Sequence, residues 1–152
     1  MPSKRIAVAC DHAGYALKRR LVEVLRGEGW EVIDLGTDSP ESVDYPDYGF
    51  AVAEAIAEGR AGRGLVICGT GIGISIAANR NPAVRAALCG DPVAARLARQ
   101  HNDANVLALG ARLIGDVMAE ETLRAFLATD FEGGRQARRV DKLGRLHAAP
   151  VS

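Results

Sequence analysis

The sequence predicts an α/β fold in which five parallel strands form one sheet with helices on both faces. Three observations predict it. Short apolar runs alternate along the chain with segments of helical periodicity. The third of these runs, Leu65 to Cys68, is wholly apolar, as a strand buried on both faces should be. Glycines stand at the joints between elements.

Arg5 to Cys10 (R-I-A-V-A-C) is the first strand, ending in the polar Asp11-His12-Ala13-Gly14. Leu17, Leu21, Val24 and Leu25 follow at helical spacing, with Lys18, Arg19, Arg20 and Glu23 on the other face. Gly27 and Gly29 stop that helix. Glu31 to Leu35 is the second strand, and Gly36 to Tyr48 reads as a loop rich in Asp, Ser and Pro. Ala51 to Glu58 is helical, closed by Gly59 and Gly62. After the third strand, Gly69 to Gly73 is a glycine loop and Ile74 to Asn79 opens a helix. Val84 to Cys89 is the fourth strand, Pro92 to Gln100 a helix and Val106 to Leu109 the fifth strand. Asp116 to Leu127 is helical, with Asp116 as its N-cap. The tail from Glu132 to Arg145 is rich in arginine, and Val140, Leu143 and Leu146 space a terminal helix. A terminal helix after strand five is expected at the sheet edge, away from the glycine loop.

The 152 residues fit one domain, 1–152, with a C-terminal helical extension over about 132–147. A chain of this length buries roughly 68–70% of the surface of its unfolded form, so it needs no disulfide or structural metal. Acidic and basic residues balance at 19 each, which argues against a global field for nucleic acid or an anionic membrane. An anionic ligand would need a local cluster of bases. There is no export signal and no apolar run of membrane-spanning length, so the expected location is the cytoplasm. There Cys10, Cys68 and Cys89 stay reduced. They form no CxxC pair, and His12, His101 and His147 lack zinc-ligand spacing.

In a parallel sheet, ligands bind beyond the C-terminal strand ends. Asp11 and His12 stand there after strand one, and Cys68-Gly69-Thr70-Gly71-Ile72-Gly73 after strand three. Asp91 follows strand four and Arg112 strand five, while His101, Asn102 and Asp103 lie in the turn before strand five. A glycine loop before a helix presents amide N–H groups to an anion, either a phosphate or an oxyanion. The competing account is a tight turn without a ligand. The spacing is G-x-G-x-G, neither the dinucleotide nor the P-loop pattern. A thiol before a helix N-terminus suits a general base or a nucleophile; equally, Cys68 is a small buried apolar residue. The tail arginines read either as a solvated face or, on a helix reaching a neighbouring subunit, as phosphate ligands.

Taken together, five segments resemble one family: Cys10-Asp11-His12-Ala13-Gly14, Asp44-Tyr45-Pro46, Cys68 to Asn79, Arg99-Gln100-His101-Asn102-Asp103 and Glu132-Gly133-Gly134-Arg135. They look like ribose-5-phosphate isomerase type B and its ribose/galactose isomerase relatives, in order from Ile6 to Val140. The resemblance implies a Rossmann-like three-layer α/β/α sandwich whose C-terminal helix extends to a partner subunit. It implies a homodimer or dimer of dimers with sites at the interface. It further implies interconversion of ribose 5-phosphate and ribulose 5-phosphate through a cis-enediolate, without metal or cofactor. By position, Cys68 resembles the base, and His101 the ring-opening acid with Asp11 nearby. Thr70 resembles the hydroxyl at the reacting carbons, and Gly69, Thr70, Gly71, Ile72 and Gly73 the anion hole. Asn102 and Tyr45 resemble sugar contacts. His12, Arg112, Arg135 and Arg139 resemble the phosphate clamp, the last two from the partner; Arg138, beside Arg139, stays open for that role. Some members carry an acidic base after the glycine loop, whereas Ile74-Ser75-Ile76 offers none here. Two further readings stand beside this one. The first is a hexose-6-phosphate isomerase acting on allose or galactose 6-phosphate. The second is a nucleotide-binding module with Asp91 as its ribose acid.

Overall fold

The computed structural model describes residues 4–145. Five parallel strands form the sheet: β1 (Arg5–Cys10), β2 (Glu31–Asp34), β3 (Arg63–Cys68), β4 (Ala86–Leu88) and β5 (Val106–Gly110), in the order β2-β1-β3-β5-β4. The helices are α1 (Tyr15–Gly27), α2 (Tyr45–Ala57), α3 (Ile72–Ala78), α4 (Pro92–Asn102), α5 (Asp116–Ala128) and α6 (Arg135–Leu143). Strand alternation divides the core. Ile6, Val8, Leu65, Ile67, Leu107 and Leu109 face α1, α4 and α5. Ala7, Ala9, Val66, Cys68 and Ala108 face α2 and α3. The expected three-layer sandwich is therefore present, and Cys68 belongs to its α2/α3 side.

Several expectations need correction. β5 is an interior strand beside β3, with Cys68 in register with Gly110; the edge belongs to β4. The segment read as loop through Tyr48 becomes helix at Tyr45, because Pro46 fits the first turn, where no amide donor is needed. α3 starts at Ile72, so Gly73 lies inside its first turn. Gly115 is the N-cap of α5, and Asp116, one residue in, accepts from Arg20 Nη1 at 3.1 Å. α4 runs on through His101 and Asn102. Lys18, assigned to the polar face of α1, is only 2% exposed; its ammonium donates to Asp34 Oδ1 at 2.7 Å and to the Thr37 carbonyl at 2.8 Å. Of the proposed 132–147 extension, Arg135–Leu143 is helical, while Leu146 and His147 lie outside the described residues.

The edge strand β4 is short, and a side chain covers part of it. Asn79 Oδ1 accepts from the Ala86 amide at 2.8 Å, and Asn79 Nδ2 donates to the Ala86 carbonyl at 3.0 Å. One carboxamide thereby imitates the backbone of an adjacent strand.

Candidate active site

The chain leaves β1 toward β2 on one side and returns through β3 on the other. The switch point, where α/β sheets open a crevice, is thus between the C-terminal ends of β1 and β3. Asp11 and Cys68 stand there. The register pairs Cys10 with Ile67, and the Asp11 amide donates to the Ile67 carbonyl at 3.1 Å. The Asp11 side chain, 6% exposed, turns the chain by accepting from the Ala13 and Gly14 amides at 3.0 and 3.2 Å. Gly14 has to be glycine, since a Cβ would lie 2.8 Å from the Ile67 carbonyl oxygen.

Cys68 is 4% exposed, and the Gly71 amide donates to its Sγ at 3.2 Å. The next amide, of Ile72, donates to Thr70 Oγ1 at 3.2 Å. Two of the loop's N–H groups are therefore held by its own side chains, while that of Gly73, partly exposed in the open first turn of α3, is left for an anion. Gly71 has φ of 77°, and a Cβ there would lie 2.5 Å from Leu88 Cδ1. A Cβ on Gly110 would strike the Thr70 carbonyl, so two bare backbones pass each other where the loop crosses β5.

The other expected residues on this end close around the loop. A Cβ on Gly73 would lie 2.5 Å from Tyr45 Cε1, so the ring rests directly on the loop. The Arg112 guanidinium lies over Gly69, 3.3 Å from where a Cβ would stand, and its amide donates to the Gly69 carbonyl at 2.9 Å. His12 Nδ1 accepts from the Val43 amide at 3.1 Å, which leaves the proton of the neutral ring on Nε2 as a donor. The end thus combines a thiol, a hydroxyl, a carboxylate, an imidazole donor and a guanidinium. Burial pushes the thiols of Cys10 and Cys89 up to about 11, which keeps them protonated.

His101 and Asn102 are not brought to this end. α4 begins beyond the C-terminal end of β4 and runs back, so its last turn lies at the opposite end of the sheet. Eleven helical residues carry it about 16 Å. His101 and Asn102 share instead a groove of about 330 Å³ with Gln136, Arg139, Val140 and Leu143. This separates Arg139 from Arg138, which does not line the groove, and Arg135 stands one turn before Arg139 on exposed surface. Gln136, buried at 7% exposure, accepts from Arg139 Nη1 at 3.4 Å and was missed from sequence; its three-residue spacing from Arg139 was the available signal. The expected site residues therefore fall into two groups at opposite ends of the sheet.

The described part of the chain matches a protein-family model described as Ribose/Galactose Isomerase over residues 6–143. The chain belongs to the ribose/galactose isomerase family. Ribose-5-phosphate isomerase B of Escherichia coli is 49% identical over 140 residues, covering 92% of this chain and 94% of that one. The solved structure of ribose-5-phosphate isomerase B from Clostridium thermocellum superposes with a TM-score of 0.91 at 53% identity, covering 92% and 95% of the two chains. Ribose-5-phosphate isomerase B from Mycoplasma genitalium, solved with bound ribulose-5-phosphate, gives 0.87 at 41% identity, covering 91% and 93%.

Within the family's fold, the nucleotide-binding alternative loses its acid. Asp91 follows β4, two strands from β3, and its Oδ1 is taken by the Ala94 amide at 2.8 Å as the N-cap of α4. Among the described residues, no three His, Cys, Asp or Glu side chains group to hold a metal ion, and no helix is long and apolar enough to cross a membrane. A surface cavity of about 640 Å³ flanks α1 beside Tyr15, Arg19 and Asp34 and is lined by none of the site residues. Its mixed charges and a lining without the thiol or the glycine loop make it a poor second candidate.

Proposed function

We propose that the chain is an aldose–ketose isomerase interconverting D-ribose 5-phosphate and D-ribulose 5-phosphate in the pentose phosphate pathway of the cytoplasm. The observation that carries this is Cys68 at the β1/β3 switch point, its sulfur held by the Gly71 amide and its flank occupied by Asp11. Cys68 takes the proton from C2 of the open-chain aldose, and the electrons move into the carbonyl to give a cis-enediolate. The same thiol returns a proton to C1, leaving the ketose, so no net redox change occurs and no cofactor is needed. The free Gly73 amide opening α3 and the Thr70 hydroxyl stabilise the enediolate oxygens. His12 Nε2 and Arg112 hold the phosphate from this side.

The remaining groups come from a second copy of the chain. His101, as ring-opening acid, Asn102, as a sugar contact, and Arg135 and Arg139, as phosphate ligands, cannot cross their own sheet. A partner's opposite end supplies them, and the helical extension of a single domain carries the arginines there. Exposed apolar residues along the β4 edge support such packing: Ile72 and Ile76 on α3, Leu88 on β4, and Val93 and Leu97 on α4. The decisive assay is ketose formation from ribose 5-phosphate, compared with allose 6-phosphate and galactose 6-phosphate. Turnover of ribose 5-phosphate with the highest kcat/KM is expected. A preference for either hexose phosphate would move the assignment to that substrate, and no ketose from any of them would refute it.

A further inference from the structure

The last turn of α4 ends in an unusual way. Asp103 has φ of 47°, the left-handed conformation that closes many helices, and it is the sole non-glycine residue at positive φ among the described residues. Glycine is the ordinary choice there. The backbone cap itself needs no carboxylate: the Asp103 amide donates to the Arg99 carbonyl at 3.3 Å and the Ala104 amide to the Ala98 carbonyl at 3.1 Å. What the carboxylate adds is a clamp. Oδ1 accepts from Arg99 Nη1 at 2.8 Å and Oδ2 from Arg85 Nη2 at 3.3 Å. Arg85 Nε also donates to the Asp103 carbonyl at 2.7 Å.

Arg99, 2% exposed, extends the clamp in two more directions. Its Nη1 donates to the Ala104 carbonyl at 2.7 Å, and its Nε to the Thr129 carbonyl at 3.0 Å. Thr129 ends α5, and the linker that follows is tied back to α4 by the Glu132 amide, which donates to the Gln100 carbonyl at 3.1 Å. That linker leads into α6 and Arg139. Two segments thus meet at the carboxylate, the entry to β4 and the last turn of α4 with His101 and Asn102, and Arg99, held by that carboxylate, ties them to a third, the strap bearing the tail arginines. Charge-assisted bonds in a half-buried setting are the strong, directional kind.

We propose that Asp103 is a positioning residue that locks His101 and Asn102 in register with Arg139, so that the two ends of a sugar phosphate are met by one rigid body. This rests on the shared-site reading above, in which that body serves a partner's Cys68. Asp103→Gly keeps the backbone conformation and removes the clamp. Misplacement of about 1 Å at catalytic groups costs roughly 10²-fold, so kcat/KM for ribose 5-phosphate should fall by about that factor, with kcat lowered and KM raised together. Asp103→Asn, which also tolerates positive φ and keeps one acceptor, should fall between Gly and the parent.

Mixed dimers locate the lesion. Asp103→Gly chains re-formed with Cys68→Ser chains should regain activity, because one site then has an intact thiol half and an intact clamped half. Asp103→Gly with His101→Ala should stay inactive, since both lesions damage the same half. Near-parental kcat/KM in folded, dimeric Asp103→Gly would overturn the proposal, as would rescue by the His101→Ala chain. Should Asp103→Gly fail to fold, parental activity in Asp103→Asn overturns it equally. A Cys68→Ser with His101→Ala mixture tests the shared site alone: if that mixture stays dead, the shared site fails, and the Gly and Asn variants as pure dimers still decide the clamp.

Discussion

The Gly71 amide stands 3.2 Å from Cys68 Sγ, so the turn that starts α3 also fixes the sulfur at the end of β3. Cys68→Ser keeps a hydrogen-bonding atom in the same place but provides a far weaker base. Removing a general base typically costs 10²–10⁴ in rate. The variant is expected to fold, bind ribose 5-phosphate and lose turnover by a factor in that range. Parental kcat in a folded Cys68→Ser chain would remove the thiol from the mechanism.

Thiol reagents should single out one cysteine. Cys10 and Cys89 are held protonated by burial, whereas Cys68 ends β3 with its sulfur against the Gly71 amide, at the glycine loop. Alkylation near neutral pH should give a single adduct, on Cys68, as inactivation proceeds, and ribose 5-phosphate should slow it. Peptide mass mapping checks this; an adduct on Cys10 preceding loss of activity contradicts it.

The same two thiols set an alkaline limit on stability. Their folded-state pKa values, about 11, lie above the ordinary value of 9.0. Folding therefore favours the protonated thiols, and their contribution is full below about pH 9 and is lost as pH rises toward 11. At roughly 1.4 kcal/mol per pKa unit, each thiol accounts for about 2–3 kcal/mol across that window. Denaturant midpoints measured from pH 8 to pH 11 should fall less steeply in a Cys10→Ala/Cys89→Ala chain than in the parent. Parallel curves would refute the assignment.

Lys18 is a second stability determinant. Replacing it by Met keeps much of the buried stem but leaves Asp34 and the Thr37 carbonyl without their cation. Breaking one side of a buried pair costs about 3–5 kcal/mol, and the partial exposure of Asp34 should bring this to the low end, roughly 3 kcal/mol. Equilibrium unfolding gives the value; an unchanged midpoint would show that the ion pair adds nothing net.

The tail arginines should act in trans. Each charge-assisted contact to phosphate is worth about 1.5–3 kcal/mol, or roughly ten- to a hundred-fold in affinity. Arg135→Ala/Arg139→Ala should raise KM accordingly, and mixing that chain with Cys68→Ser should restore activity through one intact site per heterodimer. Heterodimers that stay inactive while both parents dimerise would place the arginines in their own chain's site.

Much of the fold was legible because it is written locally. Wholly apolar runs such as Leu65 to Cys68 mark buried strands, and glycine stops such as Gly27 and Gly29 end helices. Strand order was not legible in the same way: β5 beside β3 results from which side each crossover packs on, and no residue in Val106–Gly110 encodes it. On the thiol side, Asp11, His12, Tyr45, Cys68, Thr70 and Arg112 fall together because each follows a strand or opens the next helix. His101 and Asn102 were harder to place, since the usual glycine stop is replaced by Asp103, and the helix carries them to the far end of the sheet. Lys18 was misread because a charged residue beside Arg19 and Arg20 looks solvated until Asp34 is placed next to it.

The carboxamide of Asn79 occupies the outward N–H and C=O of Ala86. Sheet growth by strand-to-strand templating is closed off there, so a passing extended segment finds the edge already answered. Copies of the chain that approach this flank can associate there only by fitting side chains, not by extending the sheet into an open-ended, fibre-like polymer.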